Sequence, residues 1–156
     1  MKPEVVMTAD EVLEIDPSTG EILVSTKYKD FDSFKQIKIK ALQVLSNNDF
    51  VMINGIWEAK RIGLVKLLSS LPISYSWTIK NNTINDAFSQ VNATLKIHHG
   101  NTIRSADSVG ICEREELKGN GGRHFMNARA ETRALKRAIE TLFGSVINFY
   151  VVNYLR

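Results

Sequence analysis

The period of hydrophobic positions changes twice along this chain. Between residues 30 and 46, Phe34, Ile37, Ala41, Leu42 and Leu45 recur at helical spacing and Asn47-Asn48 supplies a stop, so a helix is expected there. A short strand follows at 50–53, with a turn at Asn54-Gly55. Ile62, Val65, Leu68 and Leu71 restore the helical period until Pro72 cuts it, which predicts a second helix at about 58–71. The period then falls to two. Tyr75, Trp77 and Ile79 alternate with polar residues up to a break at Asn81-Asn82, and Val91, Ala93, Leu95 and Ile97 alternate through 88–98. His99, Gly100 and Asn101 make a tight turn into a third strand at 102–112, completing an antiparallel meander.

Less regular segments flank this middle. Residues 11–16 alternate, 17–20 hold turn residues and 21–25 return, which reads as a small hairpin. Residues 118–122 are polar and glycine-rich, the signal of a loop. A strong helix is expected from about 125 to 142, with Gly144 as its end, and 146–154 are apolar and β-prone. The fold class is therefore α+β: an antiparallel β-meander packed by a long basic C-terminal helix, preceded by a shorter helix, with an N-terminal hairpin and helix. Two parts are expected, an acidic N-terminal hairpin plus helix at 1–48 and a core at 49–156 as one compact unit, with no internal repeat or long low-complexity segment.

A length of 156 residues with 44% hydrophobic and 24% charged side chains suits one globular core and excludes a disordered tail, a fibrous repeat or a disulfide scaffold. Cys112 is the single cysteine, so neither an intrachain bridge nor a thiolate-rich zinc site is available, and a reducing, cytoplasmic setting is expected. No run approaches the roughly 18 apolar residues of a membrane span, and no apolar signal region follows Met1-Lys-Pro-Glu4. Charge changes the picture more. The net +3 conceals residues 1–34, where three lysines face eight acids, beside a remainder with 17 basic and nine acidic side chains. A basic body of this kind suits a polyanionic partner, although an ordinary solvated surface has the same composition.

The C-terminal helix concentrates the chemistry. Ala130, Ala134 and Ala138 form a row of small residues that lets a helix lie close on a sheet, while Arg129, Arg133, Lys136 and Arg137 recur at i, i+4, i+7 and i+8 and stack on another face. Arginine forks bind phosphate oxygens bidentately and lysine adds a point charge, so the stripe can track a nucleic-acid backbone. In the alternative reading Glu131 and Glu140 pair with these bases on a solvated face.

The string Ala130-Glu-Thr-Arg-Ala-Leu-Lys-Arg-Ala-Ile139, followed by Phe143-Gly144, resembles the signature helix of the single-strand annealing proteins, among them the ring-forming eukaryotic Rad recombination mediator, the bacterial DdrA protein and phage and archaeal annealers. The resemblance covers roughly residues 50–150 and extends to Trp57-Glu-Ala-Lys-Arg-Ile62, the strand at 91–97, His99-Gly100 and Val109-Gly110. It implies a single-strand annealing-type core at 49–156, with an inner DNA groove that uses the Lys-Arg pair Lys136 and Arg137 and Arg61 or Lys60 at the start of the earlier helix. A further family arginine falls on Glu140, a departure from the pattern. What the resemblance implies is single-stranded DNA binding and ATP-independent annealing of complementary strands in recombination or repair, by a homo-oligomeric ring or helix with recombination or replication proteins as further partners. No catalysis and no cofactor are expected, and no ATP hydrolysis in particular, since no glycine-rich phosphate loop ending in Lys-Ser or Lys-Thr occurs.

Other constellations compete. Asp107, Glu116 and Lys118 have the ingredients of a metal-dependent nuclease, two acids for a divalent ion and a lysine to orient water. An RNA-binding module and a purely structural oligomer also stay open. His98 and His99 alternate across a strand and cannot readily share a metal, and His124 stands near the basic helix. Cys112 suits a structural thiol. Trp57, Trp77, Tyr75 and Phe88 are candidates for base stacking or for core packing.

Overall fold

The computed structural model describes residues 13–15, 22–24, 33–100, 102–119 and 121–155. The expected turn at 17–20, together with Asn101 and Asn120, lies outside the described residues. The fold class is α+β, with antiparallel strands and a long C-terminal helix. Contacts divide the chain into two compact units, one formed by 1–73, 99–102 and 145–156, the other by 74–98 and 103–144.

In the first unit β1 (Leu13–Ile15) pairs antiparallel with β2 (Ile22–Val24). The helix α1 (Ser33–Val44) buries Ile37, Ala41 and Leu42, as its spacing requires. A second hairpin joins β3 (Phe50–Ile53) to β4 (Ile56–Ala59) through Asn54 and Gly55, whose φ angles of 52° and 79° are those a two-residue hairpin loop demands. Because Glu58 and Ala59 pair with Val51 and Phe50, the next helix, α2 (Arg61–Ser70), starts later than its hydrophobic period suggested.

The rotation of α2 also departs from expectation. Leu64, Leu67 and Leu68 face inward, whereas Ile62 is 73% exposed. Gly63 accounts for this: an added Cβ would lie 2.5 Å from the Cβ of Asp49, so the helix backbone rests directly on that side chain. Asp49 is buried, accepts hydrogen bonds from the Ser46 backbone N–H (2.8 Å) and hydroxyl (3.0 Å), and pairs with the Lys66 ammonium. Burial pushes its carboxyl up, but the Lys66 and Ser46 hydrogen bonds outweigh burial and hold it below the ordinary value.

The C-terminal helix α3 (Arg123–Tyr154) continues through Gly144 and takes in residues 146–154, correcting the expected stop and the expected β-prone end. Phe143, Val146 and Tyr150 recur at i, i+3 and i+7 and all are buried, so a helical apolar face overrides the β propensity of the valines, isoleucine and tyrosines there. Tyr150 stacks on Phe50 with ring centroids 5.1 Å apart, and its hydroxyl donates to Asn47 Oδ1 at 2.8 Å.

The second unit holds the meander. β5 (Ser74–Ile84), β6 (Phe88–His99) and β7 (Thr102–Glu113) form one antiparallel sheet in that order. Asn81-Asn82 does not end β5; an irregularity between Ile79 and Asn81 absorbs the break, and pairing resumes at Asn81 with Asn92. At the β5–β6 turn the Asn85 side chain accepts from the backbone N–H groups of Ala87 and Phe88. Val91, Ala93 and Cys112 of the sheet pack with Met126, Ala130 and Ala134 of α3, and Leu117 and Trp77 border this core. Cys112 is thus a buried structural thiol. Among the described residues no helix is long and apolar enough to cross a membrane.

Candidate nucleic-acid interface

The candidate site begins with a close approach of backbones. Ala130, Ala134 and Ala138 are fully buried, and a Cβ on Gly110 of β7 would sit 1.8 Å from the Ala130 carbonyl oxygen. Glycine opposite alanine lets α3 lie directly on β7, and the Ser108 hydroxyl donates to the Ala134 carbonyl at 2.7 Å. With the alanine row fixed inward, the four-residue repeat of Arg129, Arg133 and Arg137 runs along the outer edge of β7.

Each arginine of that row bonds its own chain. Arg137 Nη1 donates to the Val109 carbonyl at 2.8 Å and Arg133 Nη1 to the Ile111 carbonyl at 2.6 Å, so both cover carbonyls of β7, which is an edge strand of the sheet among the described residues. Arg133 also forms a two-pronged pair with Glu116, Nη1 to Oε1 at 3.0 Å and Nη2 to Oε2 at 2.5 Å. Glu116 sits on a 3-10 turn at Arg114–Leu117, where its other bond is to the Glu113 backbone N–H. Hydrogen bonding from Arg133, then from Glu113, lowers its carboxyl from 4.5 to about 2. Arg129 Nη1 reaches the Glu116 carbonyl at 3.5 Å. Lys136 lies 3.8 Å from Glu140, one turn on.

Arg129, Arg133, Lys136 and Arg137 are therefore brought together on one helix, whereas Lys60 and Arg61 belong to the first unit, exposed at the start of α2. The alternative pairing of bases with acids holds for Glu140 but not for Glu131, which instead accepts from the Trp77 indole N–H at 3.2 Å. A groove of about 450 Å³ lies at the Arg137 end, lined by Asp107, Ser108, Val109, Arg137, Glu140 and Thr141. Its two acids make that end mixed in sign.

No protein-family model and no curated protein matches the chain.

The nuclease trio is divided among separate partners. Asp107 accepts from Thr94 Oγ1 at 2.5 Å and from Lys80 at 3.1 Å, with both contacts holding its carboxyl below the ordinary value. Glu116 belongs to Arg133, and Lys118 is the left-handed cap that ends the 3-10 turn. Among the described residues no three His, Cys, Asp or Glu side chains are grouped to hold a metal ion. His99 Nδ1 lies 2.9 Å from the Pro72 carbonyl, a turn contact. Arg123 is tied to Asp86. Of the aromatic candidates, Trp57, Trp77 and Phe88 are half-buried and Tyr75 is exposed.

One residue escaped the sequence reading. Phe125 is 62% exposed and stands four residues before Arg129, at the head of the arginine row. The spacing Phe125, Arg129, Arg133, Arg137 was a legible signal, hidden because an aromatic at a helix start is ordinarily taken as core.

Proposed function

We propose that this protein binds single-stranded DNA and promotes annealing of complementary strands, without ATP hydrolysis, as a cytoplasmic homo-oligomer acting in recombination or repair. The observation that carries the proposal is the continuous row Arg129, Arg133 and Arg137, flanked by Lys136, fixed along the β7 edge by a buried alanine face. Arg137 retains donors beyond the one spent on the Val109 carbonyl, since a guanidinium has five N–H bonds in a planar fork, and Arg133 offers its fork to phosphate once Glu116 is displaced. Phosphate contacts made this way hold the backbone and leave base edges free to pair. The resemblance of residues 130–139 to the annealing helix supports the same reading and adds the expectation of assembly into a ring or helix.

The test is a salt-titrated binding assay with single- and double-stranded oligonucleotides and with RNA of the same sequence, beside a strand-annealing assay. Lys136→Ala combined with Arg137→Ala should weaken single-strand binding and flatten the slope of log affinity against log salt by about 0.7 per lost contact. A folded double variant with unchanged affinity and slope would reject the row as the site. Stronger binding to RNA would move the assignment to an RNA-binding module, and metal-dependent cutting lost in Asp107→Ala would move it to a nuclease.

A further inference from the structure

Phe125 extends the arginine row with an aromatic ring. Positions 125, 129, 133 and 137 follow one another at a rise of about 6 Å per step along α3. The root of the Phe125 side chain lies against Gly121, whose φ of 90° suits glycine and whose added Cβ would come within 2.7 Å of Phe125 Cβ and 2.8 Å of Cγ. Gly121 thus braces one side of Phe125 while the residue as a whole stays 62% exposed. Together with His124, Ala128, Arg129 and Thr132 it lines a shallow groove of about 320 Å³, at the lower end of the range for small-ligand sites, roughly 300–1,000 Å³.

The lining is specific in kind. It offers an aromatic face, an imidazole able to donate or accept a hydrogen bond, the methyl groups of Ala128 and Thr132, and one guanidinium. An apolar ligand alone would leave Arg129 unused, and an anion alone would leave the ring bare. A nucleotide of a single strand satisfies both, its base stacking on the ring and its phosphate meeting the cation, which is how sequence-tolerant single-strand sites are built. We propose that Phe125 and this groove hold one unstacked nucleobase of the bound strand at the head of the arginine row. The proposal rests on the reading of that row as a phosphate track.

The experiment is a cycle of two proteins and two ligands at fixed salt. Wild-type protein and Phe125→Ala are titrated with a thymidine oligonucleotide and with an abasic strand of equal length and charge. Wild type should prefer the base-bearing strand, and Phe125→Ala should lose about fivefold to a hundredfold on that strand while binding the abasic strand unchanged. Phe125→Tyr should keep the preference and Phe125→Leu should lose most of it, with melting temperatures confirming that each variant folds. Equal losses on both strands, or no loss on either, would overturn the stacking site. If Lys136→Ala with Arg137→Ala weakens both ligands while the Phe125 variants do not separate them, the phosphate track stands and the base site alone falls. If wild type shows no salt-dependent binding to either strand, both fall.

Discussion

Glu116 occupies on Arg133 the two-pronged place that a pair of phosphate oxygens would take. A strand that uses Arg133 must displace it. Glu116→Gln should therefore tighten single-strand binding a few-fold at low salt, read in the same titration. The pair also sets an acid limit on stability. Glu116 is held at about 2 in the folded chain against 4.5 ordinarily, so its contribution is complete above about 4.5 and is lost as pH falls toward 2. Asp49 acts in the same direction, losing its contribution as pH drops below 3.8 toward its lowered folded value. Urea melts at a series of acid pH values should show this decline, and Glu116→Gln and Asp49→Asn should each flatten it. At neutral pH Asp49→Ala should cost about 1–3 kcal/mol, because the half-buried Ser46 N–H and hydroxyl lose their acceptor while Lys66 can turn to water. Little of this was legible beforehand. Glu116 and Arg133 are 17 residues apart, and no local pattern pairs them.

At the scale of elements the hydrophobic periods carried most of the information. The period-two segments mark the three strands of the meander, and the alanine row anticipates the face that α3 lays on β7. Two boundaries moved for reasons that lie outside any local window. Glu58 and Ala59 are strand because Val51 and Phe50 pair with them, and α3 passes Gly144 because Val146 and Tyr150 find burial beyond it. The same close packing makes a stability prediction. Ala134→Leu adds volume between touching backbones and should cost about 1–3 kcal/mol in a denaturation titration. Gly110→Ala should cost at least as much, since its Cβ meets main-chain atoms that no rotamer change can move aside. Both should lower the melting temperature before they change phosphate contacts, the reverse of the Lys136 and Arg137 variants.

For the molecule as a whole, charge separates along the chain more sharply than its sum shows, with acids concentrated in residues 1–34 and bases in the remainder. If the four bases of the α3 row are the whole phosphate track, log affinity should fall against log salt with a slope near −3 on single strands. A steeper slope, reduced by Lys60→Ala with Arg61→Ala, would bring the start of α2 into the interface. The composition made a polyanion partner thinkable, but the grouping of distant segments into two compact units depends on long-range contacts that residue spacing does not encode. One further property follows from the guanidinium groups that cover Val109 and Ile111 on β7. An uncovered strand edge is a template on which other chains add strands and precipitate. Arg133 and Arg137 thus act as gatekeepers of solubility, and replacing both with alanine should raise light scattering on mild heating even when the secondary structure is intact.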